Sequence, residues 1–175
     1  MDAIHLVKPT LAHKQAALEY RQEHFDHGEK LLHGSSLFDQ IKSYEDWLDH
    51  LACNSTVETV KPGWVVSSTF FGVRENDHRI VGMIDIRHTL NDFLREYGGH
   101  IGYGVRPSER NKGYATQLLN LGLAFCRNLK LDRVMLACEK NNTGSRRTIE
   151  KCGGILDREF VHTDNKTVQI FWINL

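Results

Sequence analysis

The stretch Val105-Arg106-Pro107-Ser108-Glu109-Arg110-Asn111-Lys112-Gly113-Tyr114-Ala115-Thr116 holds the densest chemistry of the chain. An apolar, glycine-rich segment, Gly98 to Val105, reads as a strand that Pro107 stops. A helix pattern opens just after Gly113. The first N–H groups of a helix have no internal partner, and the helix dipole places partial positive charge there. Gly113 lets the backbone approach an anion closely, and Ala115 keeps that approach open one turn further. Arg110 and Lys112 add charge. Together these features read as a pyrophosphate cradle. It is not a Walker loop, because Gly-x(4)-Gly-Lys-Ser/Thr is absent. It is not a dinucleotide fingerprint, because Gly102-x-Gly104 lies inside the strand and no third glycine follows at the required spacing.

A second box follows the apolar run Val134 to Cys138: Glu139-Lys140-Asn141-Asn142-Thr143-Gly144-Ser145-Arg146-Arg147, leading into a short helix ended by Gly153-Gly154. Asn142 and Ser145 can line one side of that helix start. An ordinary N-cap gives the same pattern, since Asn and Thr are common caps.

The elements that must position these boxes follow from period and punctuation. A helix is expected after Pro9-Thr10, with Leu11, Leu18 and Phe25 on one stripe and Gly28 at its end. A second helix is expected from Ser43, with Tyr44, Leu48 and Leu51 sharing a face. Trp64–Val73 and Ile80–Ile86, around the turn Glu75–His78, read as a hairpin. Ala115, Leu119, Gly122 and Cys126 mark a helix face. The apolar run Arg133–Cys138 suits a strand covered on both sides. Ile155–His162 and Thr167–Ile173 are two further strands. This order is a mixed α/β or α+β single domain.

Composition narrows the function. Of 175 residues, Lys+Arg number 22 and Asp+Glu 22, so the net charge is +0. A general nucleic-acid binder gains affinity from a basic face, which this balance does not supply. No apolar run approaches the roughly 20 residues needed to span a bilayer. The N-terminus, beginning Met1-Asp2-Ala3-Ile4, lacks a long apolar stretch and reads as mature sequence. Cys53, Cys126, Cys138 and Cys152 form no zinc or C-x-x-C spacing and read as reduced thiols of a cytoplasmic protein. No metal is expected.

The two boxes together resemble those of the GCN5-related N-acetyltransferase (GNAT) superfamily. Arg110-Asn111-Lys112-Gly113-Tyr114-Ala115 is similar to its (Gln/Arg)-x-x-Gly-x-(Gly/Ala) motif, and Asn142 to Ser145 to its Asn-x-x-(Ala/Ser) element. The segment Gly98 to Arg110 also looks like a group of uncharacterised bacterial acetyltransferases. The resemblance implies one N-acetyltransferase domain over 1–175, with residues 1–63 on the helical acceptor side and 64–175 carrying the sheet and the acetyl-CoA motifs. It implies a central twisted mixed sheet of about six or seven strands flanked by about four helices. It also implies acetyl transfer from acetyl-CoA to a primary amine of a small molecule, amino acid or peptide, by direct attack in a ternary complex. Backbone N–H groups of Arg110, Asn111, Lys112, Gly113, Tyr114, Ala115 and Thr116 would hold the pyrophosphate. Tyr103, Gly104 and Val105 would pair with the pantetheine arm, and Asn142 and Ser145 would lie beside it. Arg146 or Arg147 would meet the 3′-phosphate, a solvated helix face being the alternative. No nucleic acid and no membrane are expected as partners, and a homodimer is left open.

The sequence departs from the family at one point. The Tyr that many members carry seven residues after the Asn, to protonate the leaving thiolate, is Ile149 here. Solvent, Tyr103 or Cys152 could serve instead, since a thiolate of pKa ~8.5 leaves readily. The attacking ammonium must also lose a proton. His100, Asp85, His88 and Glu139 are the candidate bases, with His100 favoured because imidazole titrates near neutrality. The missing Tyr motivates the rival reading, a non-catalytic acyl-CoA-binding module. Specificity is expected from Leu31–Tyr44 and Thr89–Gly99, since loops carry it on a fixed scaffold.

Overall fold

A computed structural model describes residues 2–175. Strand β1 (Ile4–Val7) precedes helices α1 (Lys14–Asp26) and α2 (Tyr44–Cys53). The hairpin β2 (Ser67–Arg74) and β3 (Ile80–Arg87) follows, then β4 (Ile101–Val105), α3 (Tyr114–Asn128) and β5 (Arg133–Glu139). Helix α4 (Thr143–Lys151) and the hairpin β6 (Ile155–Val161) and β7 (Thr167–Asn174) complete the chain. Strand β1 escaped the sequence reading; four residues are too few to show an alternation. None of the helices is long and apolar enough to cross a membrane among the described residues.

The strands form two sheets, β1-β2-β3-β4 and β5-β7-β6, with every named pair antiparallel. The expected single mixed sheet is therefore divided between β4 and β5. The chain just before β4 meets β5 at one isolated bridge, Gly99 to Leu136. His100 completes the contact: its N–H donates to Met135 O at 2.7 Å, and its imidazole Nδ1 accepts from Met135 N at 2.9 Å. Beyond that point β4 and β5 pair no further, and the sheets splay.

Strand alternation sends Ile84 and Ile86 toward α3, where they meet Leu118, Leu119 and Leu123, while Met83 turns to the opposite layer with Tyr20, Phe38, Trp47 and Phe71. Helix α1 buries Ala17, Tyr20 and His24. The expected stripe is not its inner face, for Leu11 is 64% exposed and Phe25 37%. Apolar recurrence misled because two of the three inward side chains are polar: His24 Nδ1 bonds Glu29 at 2.7 Å and the Tyr20 hydroxyl reaches Gly104 O at 3.5 Å.

Between α1 and α2 the chain lies directly on β4. A Cβ on Gly34 would sit 2.6 Å from Gly102 O and 2.7 Å from Tyr103 Cα, and φ there is +74°. Only glycine fits that approach.

Candidate active site

Helix α3 opens without a side-chain cap. Gly113 takes its N-cap position in the left-handed region, φ 83°, and Asn111 two residues earlier has φ 61°. Thr116 and Gln117 donate to Gly113 O at 3.1 and 3.2 Å. The N–H groups from Asn111 through Ala115 meet no protein acceptor among the described residues. Successive free donors at a positive helix end fit a pyrophosphate. The Tyr114 ring is buried and its hydroxyl accepts from Arg74 at 3.2 Å, so this residue offers an anion its backbone only.

The basic side chains of the turn are already paired. Glu29 holds Arg110 through both oxygens, at 2.5 and 2.8 Å. Glu109, 2% exposed, takes Lys112 at 3.0 Å and Arg74 at 2.9 Å. Glu23 meets Arg106 at 2.7 Å and accepts from Ser108 N at 2.9 Å. Arg110 and Lys112 do bring charge to the turn, and the carboxylates facing them offset it. The attraction for an anion rests on the backbone donors and the dipole.

On β4, Arg106 N donates to Val81 O and His100 O accepts from Arg87 N, so the even-numbered residues bond to β3. In an antiparallel pair the intervening residues direct their N–H and C=O outward. Ile101, Tyr103 and Val105 therefore face the splay, and Val105 O is taken by Arg110 Nε at 3.0 Å. Of the expected pantetheine partners, Tyr103 keeps its backbone free on that edge, while the Gly104 backbone serves β3.

The Tyr103 side chain crosses to α4. Its hydroxyl lies 3.1 Å from Ser145 Oγ, and burial pushes its pKa up to about 12. Asn142 caps α4, its Oδ1 accepting from Ser145 N at 3.0 Å. Ile149 is wholly buried in the core, so no acid reaches the cleft from that position. Burial pushes the thiols of Cys138 and Cys126 up to about 11 and raises Cys152, so none is an ionised nucleophile at neutral pH. Arg146 lies 3.8 Å from Glu150, whereas Arg147 is exposed without an ion pair among the described residues.

The candidate bases are not brought together. His100 is buried and its Nδ1 is already an acceptor for Met135 N. In that tautomer Nε2 carries the proton and has no lone pair to offer. Burial, with Arg87 and Arg95 nearby, holds its pKa down to about 4. Asp85, 3% exposed, accepts from Thr69 at 2.9 Å and pairs with Arg87 at 3.0 Å. His88 bonds Ser68 at 3.0 Å, and burial lowers its pKa. Glu139 sits outside, paired with Lys166 at 2.6 Å in a shallow depression shared with Tyr97 and His162.

Sequence reasoning missed Glu23, Glu29 and Glu109; only Glu109, three residues before Lys112, had a spacing that could have signalled its pairing. It also missed His50 on α2, which is buried against Trp64 at 5.4 Å and near Ser36 at 3.4 Å, on the face of the sheet that carries Asp85.

No curated protein matches this sequence. Among solved structures, RimL, a ribosomal alpha-N-protein acetyltransferase in complex with coenzyme A, aligns with TM-score 0.70 and 16% identity over 99% of this chain and 94% of its own. A GNAT-family acetyltransferase from Bacillus anthracis gives 0.65 and 19% over 99% and 95%. The spermidine N-acetyltransferase SpeG from Vibrio cholerae gives 0.65 and 13% over 98% and 94%. At these identities the likeness concerns the fold. The acetyltransferase (GNAT) family model matches residues 37–154, which run from the chain just before α2, through the open start of α3, to just past α4. With that span matched, the chain belongs to the GNAT family of acetyltransferases.

Proposed function

We propose that this chain moves an acetyl group from acetyl-CoA to the primary amine of a small molecule, amino acid or peptide, by direct attack in a ternary complex. The observation that carries the reading is the uncapped start of α3 beside the splay of β4 and β5. Bound acetyl-CoA supplies an activated thioester. The N–H groups of Asn111–Ala115 anchor the pyrophosphate, and the free backbone edge of Tyr103 aligns the pantetheine arm. Alignment of the reacting atoms is the main source of rate here. The Tyr103 and Ser145 hydroxyls are the polar groups that bridge β4 and α4. A phenol near pKa 12 cannot protonate a thiolate outright. It stabilises the departing sulfur by hydrogen-bond donation, and the final proton comes from water. Water also removes the ammonium proton, because His100 is tied to Met135 and Asp85 to Thr69 and Arg87. The exposed Arg147 serves the 3′-phosphate. We infer a cytoplasmic location from the use of this donor.

Thiol release with acetyl-CoA over a panel of amines tests this. Release is expected only when both donor and amine are present. Acetyl-CoA alone at 100 times its Kd should stabilise the fold by about 2.7 kcal/mol. The core position of Ile149 favours one second reading, an acyl-CoA-binding module. A thermal shift with no thiol release from any amine would establish that reading instead.

A further inference from the structure

We propose that Glu29 is a positioning residue for the cofactor turn, and that the segment from Glu29 to Ser36 couples that turn to the acceptor face of β4. The proposal rests on the reading of the α3 start as the acetyl-CoA site. Glu29 lies just beyond α1, its N–H donating to His24 O at 3.0 Å. Its carboxylate meets Arg110 through two parallel contacts, and Oε2 also accepts from His24 Nδ1 at 2.7 Å. His24 is 3% exposed beneath the Tyr20 ring. Isolated surface pairs contribute little, but a bidentate pair backed by a buried partner fixes geometry. So held, Arg110 directs Nε to Val105 O and joins the end of β4 to the start of the turn.

The same segment then runs over β4. Leu32 is buried among Tyr20, Phe38 and Met83. His33 O lies 2.8 Å from where a Cβ on Gly104 would sit, and Gly34 rests on Gly102 and Tyr103. Ser35 O accepts from Trp47 Nε1 at 2.9 Å. One end of the segment thus grips the anion-binding turn. Its middle covers the strand that presents the pantetheine, on the face opposite α3. Ordering the turn with a ligand should therefore order the cover as well, a coupling that works in both directions.

Calorimetry with coenzyme A on the full chain tests the proposal with Glu29→Gln, Arg110→Gln and the double variant. Glu29→Gln should weaken binding about tenfold, within the usual range of coupling between sites. The double variant should bind no worse than the poorer single one, because both changes break one contact. In hydrogen exchange, coenzyme A should slow residues 31–36 of the wild type and leave those of Glu29→Gln unchanged. A purely structural glutamate would lower the melting temperature without removing that ligand-dependent protection. If Glu29→Gln fails to fold, Glu29→Asp carries the test, keeping the charge but breaking the bidentate fit. Wild-type affinity and wild-type protection in the Gln variant would overturn this inference alone. A wild type that does not bind coenzyme A would overturn it together with the donor assignment.

Discussion

The two helix starts that flank the splay are built in opposite ways. Helix α4 closes its own first turn: Asn142 accepts from Ser145 N, so a donor that a ligand could use is spent inside the protein. Helix α3 starts from a left-handed glycine with no side-chain cap on its first N–H groups. Both starts follow a strand and both carry basic residues, so charge does not separate them. Capping does. On the proposed function, the pyrophosphate would sit at α3, and α4 would offer hydroxyls through Ser145 and its neighbour Tyr103. The difference also explains why the arginine and lysine of the turn can be paired with carboxylates without loss of the site, since the donors there are main-chain groups.

The strongest way to break this contrast is to close the α3 start. Gly113→Asp would place a carboxylate where the phosphate is expected, giving α3 an acidic group of its own. Asp tolerates the left-handed region better than most residues, so the fold should survive with a cost of about 1 kcal/mol. The thermal shift with acetyl-CoA should vanish while far-UV circular dichroism stays native. A full shift in this variant would move the anion site away from α3.

A smaller effect is expected where the sheets join. His100→Ala would leave the Met135 N–H without its acceptor in a buried position, at a cost of about 1–3 kcal/mol. The folded fraction should turn over with an unchanged pH–rate profile. Stability should respond to pH with a definite sign. The folded state holds His100 near pKa 4, against an ordinary value of 6.5. Below about pH 6.5 the unfolded chain takes a proton that the folded chain refuses, so stability falls toward pH 4 and then levels. His24, His50 and His88 are lowered by burial as well and act on stability with the same sign. Denaturant melts from pH 7 to 4 should show a shallower slope for His100→Ala, by at most about one proton. An equal slope would show that His100 does not carry this linkage, and a changed pH–rate profile of the folded variant would return His100 to the mechanism.

What could be read in the sequence follows from distance along the chain. Arg110, Gly113 and Ala115 are contiguous, and so are Asn142 and Ser145; their roles depend on local backbone geometry that residue type dictates. Helix α1 was legible by its ends, but its inner face was not, because Tyr20 and His24 are buried by hydrogen bonds that apolar periodicity does not register. The Glu29–Arg110 pair spans 81 positions and the His100–Met135 bond 35. Either residue alone looks like any surface glutamate or any histidine beside a strand.

The mildest prediction sharpens the contrast from the α4 side. Asn142→Ala removes the cap and should cost about 1 kcal/mol of stability, the usual worth of an N-cap Asn. It also frees Ser145 N, which makes the α4 start more like that of α3. If α4 only positions hydroxyls, affinity for coenzyme A should stay within about twofold, because a surface change away from the binding contacts is worth under ~0.5 kcal/mol. Turnover should fall more than affinity, since Ser145 loses the backbone bond that orients it toward Tyr103. The double variant Asn142→Ala/Ser145→Ala should turn over no more slowly than Ser145→Ala alone, as both changes act on one hydroxyl. A tenfold loss of coenzyme A affinity in Asn142→Ala alone would show that the Asn142 side chain binds the donor directly. The two helix starts would then share the ligand rather than divide its anchoring from its chemistry.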